Sequence, residues 1–458
     1  MVRSKFYNRL FFVPMLIFIF AFLFSCANQS GYSGTIKPAD HTWLKGIKIF
    51  IDPGHGGTGK TDRFRIGPGG ITEEEVNLNV SLILNSMLQK AGADVRMSRY
   101  RDMRVPLDRR AEMVNDFQPQ LLVSIHHNGS PRRMDPVNYP CVLIWGSRHV
   151  RPASHDFARY LLEELHGIMD SRGKVLSDFT VFSETGTRIL RKTRYTCPGV
   201  IGEAGFFTSK KHATRLRDSE YNTHEAEAYF LAISKFFRRG LPSAQVCFSC
   251  PVDNSGYLVN MITDKSPVIA LKIESGNEKK GIYPETLDVT LDGIKVRCSR
   301  IRDDMYRIRY GKALYPGGHI LRFSFRNLRY QSSMIMKAAF TVQIQKGDYD
   351  KLVKQGRRMI RHRRTAREGV KMLMAALSMG LTDPEAGRIV ADISRGFRIT
   401  GDRANAEYYL KKLAYFYSDS APSSLARKRA LRENGWRFPV DYHGKNAVIC
   451  GQYEFPEH

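Results

Sequence analysis

Apolar residues recur along this chain with different periods, and each period marks a different kind of element. Over Glu73–Lys90 they fall at Val76, Val80, Ile83, Leu84, Met87 and Leu88, the spacing of one helix face. Short apolar runs flank that stripe: GIKIFID over 46–52, residues 94–100, LLVSI over 121–125, VLIWG over 142–146, and Gly199–Phe206. Runs of this length read as buried strands. Between them, Leu107–Phe117, 155–169 and 225–238 return to helical spacing. Strands alternating with helices over 46–240 predict an α/β domain, a mostly parallel twisted sheet flanked by helices.

Farther along, the period shortens. Over 252–345 the segments VIALKI, TLDVTLDGIKV, MYRIRY, HILRFSF and AAFTVQI alternate and are separated by turn signals such as Asp292-Gly293. That predicts a small β-sandwich of the immunoglobulin-like kind. Over 346–440 the spacing is helical again, with Thr382-Asp383-Pro384 as a helix start and Gly401-Asp402 as a break. A third helix is expected after 418–422, and 441–458 reads as a tail. The helix pairs resemble tetratricopeptide-type repeats, which implies a protein partner for this region.

The N-terminus follows neither pattern. MVRSKFYNR carries Arg3, Lys5 and Arg9, and LFFVPMLIFIFAFLF follows as an apolar run ending in Leu23-Phe24-Ser25-Cys26. A basic head, a short apolar core and a small residue before the cut describe an export signal over 1–25. A span needs about 20 apolar residues, more than this run offers. Leu-x-Ser-Cys resembles a bacterial lipobox, which implies a lipidated Cys26 and a membrane partner through that anchor. With Ala27 rather than Asp after the cysteine, the expected location is the bacterial envelope, facing the periplasm from the outer membrane. Residues 26–45, polar and rich in Gly and Ser, would form the tether.

Composition adds a charge. Among 458 residues, 71 Lys and Arg against 45 Asp and Glu give a formal net charge of +26, which favours anionic partners. The densest basic run, RRMIRHRRTAR over 357–367, contains no aromatic residue, so nothing favours base stacking and no nucleic acid is expected. Besides Cys26 there are Cys141, Cys197, Cys247, Cys250, Cys298 and Cys450. An exported protein permits disulfides among them, but Cys247-Phe-Ser-Cys250 has no second close pair to complete a zinc knuckle.

The candidate chemistry begins with IFIDPGHGGTGKT over 49–61. Gly54, Gly59, Lys60 and Thr61 satisfy the pattern of a phosphate-cradling loop. Such a loop must run into a helix at Lys-Thr, and Gly67-Pro68-Gly69-Gly70 forbids one immediately downstream. The nucleotide reading therefore fails. Three other stretches place ionisable groups at strand ends or a helix start: GITE over 70–73, VSIHHN over 123–128 and IGEAGF over 201–206. Parallel sheets gather their chemistry at the carboxyl ends of strands. His55, His126 and Glu203 lie at or near such ends, and Glu73 opens a helix. Two imidazoles and one carboxylate leave one tetrahedral position open, as in a catalytic zinc site.

DPGHGG, ITEEEVNL, SIHHNG and GVIGEAGFFTS, in this order, resemble the zinc-dependent N-acetylmuramoyl-L-alanine amidases, the peptidoglycan amidase type 3 family. Met97-Ser98-Arg99 and PLDRRAEMVN over 106–115 add weaker likenesses. The resemblance covers about 46–238 and implies Zn2+ held by His55, Glu73 and His126, with Glu203 as the catalytic carboxylate. It also implies peptidoglycan as substrate and hydrolysis of the amide between the lactyl group of N-acetylmuramic acid and L-alanine, in cell-wall remodelling. Each residue has a plainer rival. Acids in a first helical turn complement the dipole, so Glu74 and Glu75 compete with Glu73. His126 and His127 point to opposite faces of a strand, and His127 would line the cleft or face solvent. Glu203 could be a buried ion-pair partner. The cell-division members resembling this family carry a site-plugging helix between positions matching His126 and Glu203; none is evident here, so an open site is expected. The alternative function is a non-catalytic scaffold that binds peptidoglycan, against which all four intact positions speak.

Overall fold

The structure, a computed structural model, describes residues 36–57, 65–130, 137–169, 171–182, 185–252, 260–311, 313–343, 345, 347–379, 383–416, 445–446 and 448–452. The export segment, Cys26, the first half of the tether and the helix expected after 418–422 lie outside them. No helix among the described residues is long and apolar enough to cross a membrane.

The first unit is a six-stranded sheet of β1 (Lys48–Pro53), β2 (Asp94–Met97), β3 (Leu121–Asn128), β4 (Cys141–Ile144), β5 (Lys174–Ser177) and β6 (Gly199–Phe206). Their order is β2-β1-β3-β6-β4-β5. Only the β6–β4 junction is antiparallel, so β4 and β5 run against the other four strands. The sheet is mostly parallel, as expected, with this single antiparallel junction. β5 went unforeseen because KVLS is short and has no fully buried residue.

Alternation along β1 explains the layering. Ile49 and Ile51 face one layer, with Val76, Val80, Leu84 and Leu88 of α1 (Glu73–Lys90). Phe157 and Leu161 of α3 (Pro152–Met169), with Phe230, Ile233 and Phe236 of α6 (Ser219–Arg239), complete that layer. Phe50 faces the other, with Val114 and Phe117 of α2 (Leu107–Phe117) and Ile189 and Leu190 of the short α4 (Arg188–Thr193). A further short helix, α5 (Lys210–Leu216), precedes α6. A chain with both sheet faces covered must keep its strands apolar on both sides, which is why they read as continuous runs.

The second unit packs two sheets around one core. One has the order β11-β10-β14-β15-β16, with β8 beside β15; the other has β12-β13-β9-β7-β17. Here β7 is Ser243–Phe248, β8 Met261–Ile262, β9 Ile269–Glu274, β10 Asp288–Leu291, β11 Ile294–Lys295 and β12 Arg297–Arg302. β13 is Met305–Arg309, β14 Gly317–Ser324, β15 Met336–Val342, β16 Lys445–Asn446 and β17 Val448–Gln452. Val246, Phe248 and Leu271 from one sheet meet Leu321, Phe323 and Phe340 from the other. Two boundaries differ from expectation. The sandwich starts at Ser243 rather than 252, because Ala244, Val246 and Phe248 are buried in it. The segment read as a C-terminal tail instead returns as strands beside β15 and β7.

Between β15 and β16 the chain forms α7 (Asp348–Met359), α8 (Arg363–Leu377), α9 (Asp383–Thr400) and α10 (Arg403–Phe416), the expected helical region. Leu352, Leu373, Ile389 and Phe397 share its core. Tyr315 donates to Glu368 at 2.6 Å and Gly318 N–H to Ser378 at 2.7 Å, tying these helices to the sandwich. The sandwich is tied in turn to the α/β unit, where buried Asp156 accepts from Ser332 N–H at 2.8 Å and Asn327 donates to the Arg239 carbonyl at 2.8 Å.

The crossing of α7 and α8 is set by glycines. A Cβ on Gly369 would lie 2.8 Å from both the Gly356 carbonyl oxygen and the Ile360 nitrogen. Those are backbone atoms and cannot swing aside. Gly369→Val is expected to destabilise the helical region by about 2 kcal/mol through overpacking. Calorimetry of the full chain would show this as an earlier first transition.

Candidate metal centre

The loop after β1 turns sharply, and His55 sits in it with φ of 59°. A non-glycine residue in that region needs surrounding structure to hold it. Two buried arginines supply it. Arg99 donates from Nε to the Pro53 carbonyl at 3.0 Å and from Nη2 to Gly54 at 2.8 Å and Glu74 at 2.7 Å. Arg110 donates from Nη1 to Pro53 at 2.6 Å and from Nη2 to His55, so three consecutive carbonyls are taken. Burial lowers the pKa of Arg99 to about 10, with the neighbouring Arg110 cation acting in the same direction, though it remains charged at neutral pH.

Asp52 balances this charge. It accepts from Arg110 at 2.6 Å, Ser98 at 2.6 Å and Ser124 at 2.8 Å. Burial alone would raise its pKa; the Arg110 charge and the two hydroxyls outweigh burial and hold it below the usual carboxylate range. Its stabilising contribution is therefore present above the ordinary Asp pKa and is lost as pH falls through the depressed one.

Beyond the loop, three side chains converge. His55 Nε2 lies 3.0 Å and His126 Nδ1 3.2 Å from Oε1 of Glu73. The imidazole rings stand 4.7 Å apart at 84°, and one donor atom from each of the three residues falls within 4.8 Å of the others. Gly54 permits the approach, since a Cβ there would lie 2.4 Å from His126. Of the three acids opening α1, Glu73 alone enters this cluster, while Glu75 is exposed.

His127 turns its side chain the other way, as strand alternation requires; it borders the cleft but does not meet solvent. It is buried, 2.8 Å from Asn77 Oδ1 and 3.0 Å from Glu225 Oε2. Asn77 donates to the Gly54 carbonyl at 3.3 Å and to Glu73 at 3.4 Å. His127 and Asn77 therefore brace Glu73 from beneath, a role the sequence reading missed. The four-residue spacing of Glu73 and Asn77 on one helix face was the available signal.

Glu203 lies on β6 in register with His126 of β3. Its Oε2 is shielded from solvent and accepts no hydrogen bond, so the ion-pair rival has no observed partner among the described residues. Shielding, and then the charge of Glu73, push its pKa well above the usual value. Cys141 lies opposite Glu203 on the antiparallel neighbour β4, its thiol pushed up to about 12 chiefly by burial. Glu203 and the three clustered residues line one cleft of about 1030 Å³. Two imidazoles and a carboxylate suit a borderline cation such as Zn2+, and the uncompensated carboxylate oxygen fits a neighbouring positive charge or an acidic proton.

Residues 49–235 match the family model described as N-acetylmuramoyl-L-alanine amidase. The germination-specific N-acetylmuramoyl-L-alanine amidase of Bacillus subtilis is 25% identical over 252 residues, 52% of this chain and 97% of that protein. Amidase AmiA of Escherichia coli is 30% identical over 132 residues, 28% of this chain and 42% of that one. Among solved structures, amidase AmiC2 of Nostoc punctiforme is 26% identical with a TM-score of 0.36, covering 42% of this chain and 98% of its own. The family match and the relatives together support an enzyme of the N-acetylmuramoyl-L-alanine amidase kind, carried by the α/β domain.

Proposed function

We propose that the chain is a zinc-dependent, lipid-anchored enzyme that cleaves the bond between the lactyl group of N-acetylmuramic acid and L-alanine of the peptidoglycan stem. The observation carrying this reading is the meeting of His55, Glu73 and His126 opposite an unpartnered Glu203 oxygen, in a domain with the amidase sequence. His55, Glu73 and His126 would hold the ion, and Cys26 would carry the lipid in the bacterial envelope, on the periplasmic side of the outer membrane.

Zinc bound there would supply a Lewis acid that acidifies water and polarises the amide carbonyl. The remaining steps belong to side chains. Glu203 takes a proton from the attacking water and delivers it to the departing amine nitrogen of L-alanine. Shielding raises the proton affinity of the Glu203 carboxylate, which suits it to accept that proton. Asn77 and His127 fix the orientation of the Glu73 carboxylate, and the arginine-held loop fixes that of His55. The products are a glycan strand without its stem and a peptide with a free L-alanine terminus.

Glu203→Gln is expected to cut kcat by about 10²–10⁴-fold, the usual range for a lost acid–base group. Zinc content measured by mass spectrometry should stay unchanged. Chelation is expected to abolish release of L-alanine-terminated peptides from murein, and added Zn2+ to restore it. The purified chain is expected to act on murein without an activator. Inactivity that a second protein relieves would overturn the open-site reading, and muropeptides free of new L-alanine termini would overturn the reaction.

A further inference from the structure

The cleft has two electrostatic characters. Its carboxylates are Asp52, which Arg110 neutralises, and Glu73 and Glu203 at the metal centre. Among the described residues no other acid lines it. The wall where α2 meets α4 carries Arg104, Arg188 and Arg191. Arg104 is exposed and has no carboxylate partner among the described residues. Among the described residues the Arg191 side chain bonds only a carbonyl, that of Thr185 at 3.4 Å. Arg188 shares the single carboxylate of Asp108 with Lys192, at 3.1 and 2.8 Å, so two cations face one anion. Among the described residues, the positive charge of this wall is therefore unbalanced.

Guanidinium forks match carboxylates in shape as well as charge. Resting on the amidase reading, we propose that Arg104, Arg188 and Arg191 form a carboxylate subsite for the stem peptide. It selects stems whose second residue has a free rather than an amidated α-carboxyl group. An extended stem spans about 3.3–3.6 Å per residue. A cleft of about 1030 Å³ holds several such residues beyond the scissile bond. Val181 and Phe182, 58% and 52% exposed on the same cleft, offer an apolar lip that carries no charge preference. Discrimination between acid and amide therefore falls to the arginines.

Two substrates differing by one amide test this: N-acetylmuramoyl-L-alanyl-D-isoglutamate and its D-isoglutamine counterpart. The wild-type chain is expected to favour the acid by about tenfold in kcat/KM, mostly through KM, a size set by charge-assisted bonds at a partly solvated site. Arg104→Ala and Arg191→Ala are each expected to shrink that ratio, and Arg104→Lys to keep part of it. Raising salt should shrink it too. Equal use of both substrates by wild type, or a ratio that survives both alanine variants, overturns the subsite and leaves the amidase reading standing. Failure to free an L-alanine terminus from either substrate overturns both.

Discussion

The guanidinium groups of Arg99 and Arg110 meet the carbonyl oxygens of Pro53, Gly54 and His55, and the placement of the first imidazole depends on those contacts. A histidine at φ of 59° costs on the order of 1–3 kcal/mol. Each hydrogen bond from a charged donor returns about 1.5–3 kcal/mol, so the clamp outweighs the strain several times over. Its own cost is burying two cations, which Asp52 and the carbonyl dipoles offset. Losing Arg110 would strand Asp52 in the interior, a penalty of about 3–5 kcal/mol for a broken buried pair. Stability of the domain and geometry of the site are thus one construction.

Sheet order explains why the ligands come from distant segments. β1 lies between β2 and β3, so the chain leaves β1 in two directions, and a crevice opens at its carboxyl end. His55 follows β1, His126 ends β3, Glu203 rides β6, and α1 drops Glu73 into the gap. One wall is then acidic and suited to a cation, while the other, built by α2 and α4, is basic. A substrate with a polarisable carbonyl at one point and carboxylates farther along fits both.

Most of this frame was legible in the sequence where periodicity was long. The helices Glu73–Lys90 and Leu107–Phe117 have the bounds their spacing predicts, because each packs one face on the sheet. Short or half-polar elements were not legible: KVLS looks like loop, and SAQVCF was masked by flanking proline and cysteine. The ligand triad could be read because each residue sits in a distinctive glycine-rich or strand-end setting. The bracing by Arg99, Arg110, Asn77 and His127 could not, since it depends on which buried polar atoms meet across 23 to 58 positions of chain. Position in sequence does not reveal such pairings.

The final strands have an architectural meaning. Because β16 and β17 return to the edges of the two sandwich sheets, the helical region is an excursion from that domain and not an appendage to it. A ribosome must pass the whole helical region before the sandwich can close. Pruning from the carboxyl end would strip both sheets while sparing the helices, whereas splicing out the excursion could leave the sandwich whole. Evolution could therefore exchange this insert without disturbing the catalytic body behind it.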